Sequence, residues 1–347
     1  MAKVTIIGSG MMGSALVFPA FDNGHEVRLV GSPLDDEIID VSIRTGRHPK
    51  FDVVFPDGVK YYHVTDMEEA VKGADLIIGG VSSFGVDWFG ADVLPKIPDG
   101  VPVLSVTKGL MDTEDGRLLT YPELWTRRLE AQGLRKTICA VGGPCISFEL
   151  TAREHTEVAF CGTDLDVLRK VRSIMETPYY HISITTDVTG IETAVALKNG
   201  YALGISLSIG LNKKKYGDDR AKYNAQAGLF YQAVREMGLI LKYQGAGELE
   251  NLAMGAGDLY VTVFGGRTRR VGILLGEGYD IDEARDILNG VTLESLVVAQ
   301  RVAKAIRKAA EYGRVSLKDF PLLLHMDRII REKASPELPW DEFRYVK

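Results

Sequence analysis

The stretch Val4-Thr5-Ile6-Ile7-Gly8-Ser9-Gly10-Met11-Met12-Gly13 decides the fold. Val4–Ile7 is a β-branched apolar run. After Gly13 come Ser14-Ala15-Leu16-Val17-Phe18, a turn-like Asp22-Asn23-Gly24, and a second apolar run, Glu26-Val27-Arg28-Leu29-Val30. Strand, Gly-x-Gly-x-x-Gly, helix, strand is the context a dinucleotide-binding turn requires. Gly8 allows the tight turn, Gly10 lets the backbone approach a pyrophosphate, and Gly13 lets the helix pack close on the strand. The helix start then offers unpaired N–H groups and a positive dipole end to phosphate. Three bare glycines would be an ordinary turn; the flanking strand and helix favour the dinucleotide. Met11 and Met12 lie in the loop, to pack it or to border the cofactor.

The composition bounds the rest. A chain of 347 residues is long for one hydrophobic core, so two domains are expected. It is 46% hydrophobic and 25% charged, as in ordinary globular proteins. A formal charge of −6 gives no general attraction to nucleic acid or anionic membranes, so an anionic substrate needs a local basic cluster. Cys139, Cys145 and Cys161 show no paired spacing, which argues for reduced thiols, a cytosolic setting and no cysteine metal site. The six histidines show no zinc spacing, and no metal is expected. The sequence enters a strand at once, so no leader is expected, and no uninterrupted apolar stretch is long enough to span a bilayer.

Up to about residue 187, apolar strand candidates alternate with helical stretches: Val4–Ile7, Val27–Val30, Leu76–Gly79, Val101–Val106, Thr137–Val141 and Glu157–Phe160. This alternation predicts a mostly parallel sheet with helices on both faces. After about Thr189, helical periodicity takes over, through Val298–Glu311. The expected division is an α/β dinucleotide-binding domain, 1–187, and a helical catalytic domain, 188–347. A ligand cleft between them is the expected place for chemistry.

Four segments carry candidate chemistry. Near Gly190, Ile191, Ala194, Val195, Ala202, Ile205 and Ile209 recur at helical spacing, and Lys198 falls on their face. A lysine is rarely buried unless paired or functional. Burial would disfavour its charge and make it a proton acceptor; a snorkelling or ion-paired lysine is the plainer alternative. Gly255-Ala256-Gly257-Asp258-Leu259-Tyr260-Val261-Thr262 and Gly265-Gly266-Arg267-Thr268-Arg269-Arg270 bracket a carboxylate, a hydroxyl and three arginines between glycine turns. An arginine fork suits phosphate; a solvated basic turn is the alternative. Val106-Thr107-Lys108-Gly109-Leu110 and Gly142-Gly143-Pro144-Cys145-Ile146-Ser147-Phe148-Glu149 follow strand candidates, where open α/β sheets bind ligands. Phe84, beyond Val81-Ser82-Ser83, either walls the nicotinamide pocket or packs the loop. Cys145 has no adjacent base, so it is not read as a nucleophile.

In this order and spacing, the segments resemble the NAD(P)-dependent glycerol-3-phosphate dehydrogenase family. The resemblance covers Lys3 to about Lys333 and rests on Gly8–Ala15, Arg47-His48-Pro49-Lys50-Phe51, Thr107–Leu110, Gly143–Leu150, Leu197-Lys198-Asn199 and Gly257–Gly272. It implies an N-terminal Rossmann domain with a doubly wound sheet, a C-terminal all-α domain, cytosolic homodimers, and interconversion of sn-glycerol 3-phosphate and dihydroxyacetone phosphate. By the resemblance, Lys198 is the catalytic lysine, followed by Asn199. Lys108 lies near substrate and nicotinamide. Asp258 and Thr262 are the acidic and hydroxyl residues of the active site. Arg267 meets the substrate phosphate and the cofactor. Gly143, Cys145 and Ser147 line substrate and cofactor, and Glu294 reaches the cofactor. Thr268 departs from the family's usual asparagine and brings one donor rather than two. The stretch Asn212-Lys213-Lys214-Lys215-Tyr216-Gly217-Asp218-Asp219-Arg220 reads as a longer loop than the family has. It is either a solvated turn or a receiver for a larger, more anionic substrate.

The resulting expectation is a dehydrogenase of a small phosphorylated polyol or ketone. Lys198 moves the hydroxyl proton, Lys108 orients substrate and stabilises developing charge, Asp258 tunes Lys198, and Arg267 with Thr268 holds the phosphate. The expected partners include neither nucleic acid nor an inserted membrane. A dehydrogenase of a larger polyol phosphate and a dinucleotide sensor without turnover are the rival readings. The cofactor is NAD or NADP. At the end of the second strand, Gly31-Ser32-Pro33 stands where NAD-specific folds place Asp or Glu; Asp35 and Asp36 follow, and Arg44, Arg47 and Lys50 lie further on. Ser32 is the cofactor-side candidate there.

Overall fold

The computed structural model describes residues 1–50, 53–217, 222–288 and 294–344. Phe51, Asp218, Asp219 and Arg220, quoted above, lie outside them. The chain divides into two compact units, one of Met1–Lys108 with Thr120–Val188, the other of Gly109–Leu119 with Thr189–Lys347.

The first unit is built on eight strands: β1 Lys3–Ile7, β2 Glu26–Val30, β3 Lys60–Tyr62, β4 Leu76–Gly79, β5 Val103–Ser105, β6 Ile138–Gly142, β7 Thr156–Cys161 and β8 Tyr180–Thr185. Their spatial order is β3-β2-β1-β4-β5-β6-β7-β8. Every neighbouring pair is parallel except β6 and β7, which run antiparallel. The chain leaves β1 toward β2 and β3, then returns to β4 on the other side of β1. That reversal is the switch point of a Rossmann sheet, and ligands bind beyond the carboxyl ends of the strands beside it. Val4, Ile6, Leu29, Leu76, Ile78 and Leu104 are fully buried across these central strands. Being covered on both faces, such strands read as continuous apolar runs, which is why they were visible in sequence. The edge strands were not: Lys60–Tyr62 is too short to show a pattern, and β8 is half-exposed at its end.

Apart from the hairpin Leu110–Asp112 and Leu118–Thr120, the described elements assigned to the second unit are helical. Its centre is the 29-residue helix Val188–Tyr216. The expected amphipathic face is not what forms. From Gly190 to Ser208 every residue is buried except Lys198 and Asn199. Glycines make burial on all sides possible. A Cβ on Gly276 would fall 2.2 Å from Leu207 O, and one on Gly272 would fall 2.6 Å from Leu203 O. The Gly266–Glu277 helix therefore lies backbone against backbone on the central helix, as small residues permit. Over its most apolar 18 residues the central helix Val188–Tyr216 has a mean hydropathy of 1.2, long and apolar enough to cross a membrane by length and composition although Glu192 and Lys198 interrupt the helix's apolar run, and 78% of that window is buried inside the fold.

A second correction concerns Lys213, Lys214 and Lys215. They form the last turn of the central helix, not a loop. There they complement the negative end of the helix dipole, and Lys213 pairs with Glu277 at 2.7 Å.

Candidate active site

In the first unit the glycine loop leaves β1 at Gly8, whose φ of +107° no β-carbon tolerates well. A Cβ on Gly13 would fall 2.1 Å from Gly8 O. One on Gly80, just after β4, would fall 2.6 Å from the same oxygen and 2.8 Å from Gly13 Cα. Gly80 is thus a further glycine that the fingerprint needs and the motif does not mention; the Gly79-Gly80 pair closing an apolar strand was its only signal. Gly10 differs, since its Cβ would meet nothing nearer than Gly80 O at 4.0 Å. The residue expected to let a pyrophosphate approach is the one with open space above it.

The loop is clamped from two sides by Asp35 and His48, residues that the sequence pointed to without this role. Ser9 N–H donates to Asp35 Oδ2 at 3.1 Å, and Ser32 N–H donates to the same oxygen at 2.9 Å. On the other side, His48 Nε2 lies 3.0 Å from Ser9 O. Lys50 N–H donates to His48 Nδ1 at 3.0 Å, so Nδ1 is the acceptor and Nε2 carries the hydrogen. His48 is buried, and that desolvation holds its pKa below the usual histidine value, which keeps this neutral tautomer.

Strand ends deliver the other first-unit candidates. Lys108 Nζ donates to Gly143 O at 3.1 Å. Cys145 Sγ lies 3.9 Å from Met12 Sδ. Met12, Lys108, Gly143, Cys145 and Tyr180 line one small cavity, so the glycine-loop helix and the ends of β5 and β6 converge. Ser147 is buried at the start of the Ser147–Thr151 helix. Phe84 is 55% exposed on a short turn, and so does not pack the core. Among the described residues, no group of three or more His, Cys, Asp or Glu side chains is placed to hold a metal ion.

In the second unit, Lys198 Nζ donates to Asp258 Oδ1, with Asp258 wholly buried. The pair exists because two helices touch. A Cβ on Gly255 would fall 2.8 Å from Ala194 Cβ and 3.0 Å from Ala194 O. One turn beyond that contact, on each helix, stand Lys198 and Asp258. Thr262 is drawn in differently: its hydroxyl donates to Asp258 O, one turn back, at 2.7 Å.

The Leu249–Phe264 helix ends at Gly265, and Gly266, at φ +86°, turns the chain directly into the next helix. Arg267 and Thr268 fall in the first turn of that 12-residue helix, which no side chain caps. An arginine is thereby set beside the positive end of a helix, an arrangement suited to an anion. Glu294 is the first residue of the Glu294–Glu311 helix.

Residues 3–167 match the family described as NAD-dependent glycerol-3-phosphate dehydrogenase N-terminus, and residues 187–340 match its C-terminus. The NADP(+)-dependent glycerol-3-phosphate dehydrogenase of Archaeoglobus fulgidus is 36% identical over 288 residues, 82% of this chain and 83% of that protein. A glycerol-3-phosphate dehydrogenase [NAD(P)+] of Streptococcus sanguinis is 32% identical over 80% of this chain and 78% of its own. Among solved structures, the glycerol-3-phosphate dehydrogenase of Plasmodium falciparum superposes with a TM-score of 0.82 at 21% identity, covering 100% of this chain and 96% of its own. That of Coxiella burnetii gives 0.78 at 23% identity, covering 99% and 97%. At such identities the likeness establishes the fold.

Proposed function

We infer the reaction from one premise: the chain belongs to the NAD-dependent glycerol-3-phosphate dehydrogenase family. It interconverts sn-glycerol 3-phosphate and dihydroxyacetone phosphate with NAD(P). The observation that carries this reading is the Lys198–Asp258 pair, at the one place where the central helix is not closed over between Gly190 and Ser208. Support for the cofactor comes from the glycine loop, where only Gly10 keeps open space.

A nicotinamide dinucleotide, which the Gly8–Gly13 loop would hold, would supply or accept the hydride at the secondary carbon. For reduction, Lys198 in its ammonium form gives a proton to the ketone oxygen; for oxidation, it takes the hydroxyl proton. Asp258 balances the ammonium, and after each reduction the Lys198 amine takes its proton back from water. Lys108, released from Gly143 O, orients the substrate and offsets the negative charge that grows on oxygen. Arg267, Thr268 and the uncapped first turn behind them hold the phosphate. Asn199, Gly143, Cys145 and Ser147 line the substrate and cofactor, and Glu294 reaches the cofactor. In this reading residues 1–187 hold the dinucleotide and 188–347 the substrate, in a cytoplasmic homodimer. The rival larger substrate loses its motive, because Lys213–Lys215 form a helical turn and Lys213 is engaged by Glu277.

The test is steady-state reduction of dihydroxyacetone phosphate, with NADH and NADPH in parallel and unphosphorylated dihydroxyacetone as control. Turnover of the phosphorylated ketone and little of the control is expected. Failure with both cofactors refutes the reaction.

A further inference from the structure

We propose that the second unit carries a second anion site, in a groove beside the Glu294–Glu311 helix, and that it takes a small metabolite bearing two separated phosphoryl groups. The described residues that line this groove include none of Lys198, Asp258, Thr262 and Arg267.

The groove has a volume of about 940 Å³, the size of a small-molecule site. One face of the Glu294–Glu311 helix lines it, with Arg301, Lys304, Arg307 and Lys308 at helical spacing. The hairpin of Leu110–Asp112 and Leu118–Thr120 borders it on one side, through Asp112, and the Pro321–Glu332 helix on the other, through Asp327 and Arg331. The hairpin is seated closely on the first helix, since a Cβ on Gly116 would fall 2.6 Å from Ala309 N. A basic face on a surface helix is ordinarily just solvated. Two features set this one apart.

The first is a carboxylate that positions two arginines. Asp327 is wholly buried, and its Oδ2 accepts from Arg307 at 2.6 Å and from Arg331 at 2.8 Å. Two guanidiniums from two helices are thereby oriented by one oxygen at the edge of the groove. Arg331 also reaches Glu332, an exposed carboxylate, at 3.0 Å. Each fork has five N–H donors and so keeps several for a ligand, and planar forks match phosphate oxygens in pairs.

The second is the spacing. Arg301 donates to a neutral partner, Leu110 O, at 3.0 Å. It stands six residues from Arg307, or about 9 Å along the helix. Between them Lys304 holds Asp112 at 2.6 Å and Lys308 holds Glu311 at 2.8 Å, with both ammonium groups exposed. Exposed pairs of this kind contribute little, so a phosphate displaces them at small cost. The groove therefore presents arginine at both ends with lysines between. One phosphate reaches one end; two phosphoryl groups on opposite ends of a hexose reach both.

The test is calorimetric titration of the whole chain with a hexose 1,6-bisphosphate, tripolyphosphate and orthophosphate. The bisphosphate should bind saturably, on the order of tenfold or more tighter than orthophosphate, and its affinity should fall as salt rises. Arg301→Gln and Arg331→Gln should each weaken it by on the order of tenfold. Both variants leave Asp327 paired with Arg307, and a cooperative melt confirms that they are folded. Arg267→Gln, at the substrate phosphate site, should leave this binding unchanged. No saturable binding at millimolar bisphosphate overturns the proposal, as does full affinity in the double variant Arg301→Gln with Arg331→Gln. Loss of binding in Arg267→Gln assigns the ligand to the substrate site and overturns it equally. Tripolyphosphate carries its charges close together and should bind more weakly than the bisphosphate; the reverse order rules out the two-ended ligand.

Discussion

Lys198 and Asp258 stand 60 residues apart, on different helices, and the ammonium of one donates to the wholly buried carboxylate of the other. A buried charge without its partner costs several kcal/mol, so this pair has a structural role besides the catalytic one proposed for it. The two roles separate experimentally. Lys198→Ala should lower thermal stability, by about 3–5 kcal/mol, and should lower kcat by on the order of 100- to 10,000-fold. Lys198→Met with Asp258→Leu removes both charges, and should recover stability without recovering turnover. Turnover of Lys198→Ala within a few-fold of wild type, at saturating substrate, would remove Lys198 from proton transfer.

Arg267 is expected to act on the phosphate and not on the carbinol carbon. Arg267→Ala should raise KM for dihydroxyacetone phosphate by roughly ten- to a hundredfold, the effect of one charge-assisted hydrogen bond. KM for unphosphorylated dihydroxyacetone should change little. An equal rise for both substrates contradicts the phosphate assignment. Cofactor affinity is to be measured separately, by titration, because the same side chain is assigned to the cofactor as well.

What was legible in sequence depended on how local the signal was. The glycine loop, β1, β2 and β4 were visible because a buried parallel strand is a continuous apolar run and the fingerprint spans only six residues. Gly80 and the clamping roles of Asp35 and His48 were not, although these residues shape that loop, because each acts across 26 to 72 positions of chain. Lys198 stood out in sequence for a partly mistaken reason. The helix that carries it is buried on nearly every side, so periodicity described a face that does not exist. Lysine-rich chain beyond Asn212 looked like a loop because charge density resembles exposure; in the fold it is an exposed helical end.

Glu236 makes stability depend on pH. It is buried, and its carboxylate accepts from Tyr201 Oη at 3.0 Å, Gln232 Nε2 at 2.6 Å, and the Leu322 and Leu323 N–H groups at 2.8 and 3.0 Å. It thus caps the Pro321–Glu332 helix from a distance. Burial outweighs these donors and pushes its pKa up to about 7, from 4.5. A folded pKa above the unfolded one means stability that is complete below about pH 4.5 and is lost as pH rises to about 7. The loss is at most about 1.4 kcal/mol for each pH unit in that window. Melting temperatures of wild type and Glu236→Gln, taken across it, should converge as pH rises, the variant lacking this slope. Parallel profiles contradict the assignment.

The contact between the central helix and the Gly266–Glu277 helix leaves no room for a methyl group. Gly276→Ala would set a Cβ 2.2 Å from Leu207 O, and the clash is with backbone, which cannot rotate away. A loss of about 1–3 kcal/mol or more is expected from such overpacking. Gly265→Ala is the control, because its Cβ meets nothing within 4 Å and its backbone is extended. Chemical denaturation should separate the two variants clearly. Equal stability would mean that the helices can move apart freely.

Replacing Lys213, Lys214 and Lys215 together with Ser tests the substrate from the other direction. These side chains end a helix, Lys213 is paired with Glu277 at 2.7 Å, and Lys215 lies over the Tyr216 ring at 5.2 Å. Their work is local. Lost dipole complementarity and an exposed ion pair each account for up to about 1 kcal/mol of stability. Kinetics should therefore stay flat along a series of polyol phosphates of growing length and charge. If these lysines instead formed part of an anion site, kcat/KM would fall in the variant, and would fall more for the more highly charged substrates. The loss would shrink as salt rises, since exposed charges are screened over roughly 8 Å at physiological ionic strength. That pattern would favour a larger polyol phosphate over glycerol 3-phosphate, and a flat series favours the three-carbon substrate.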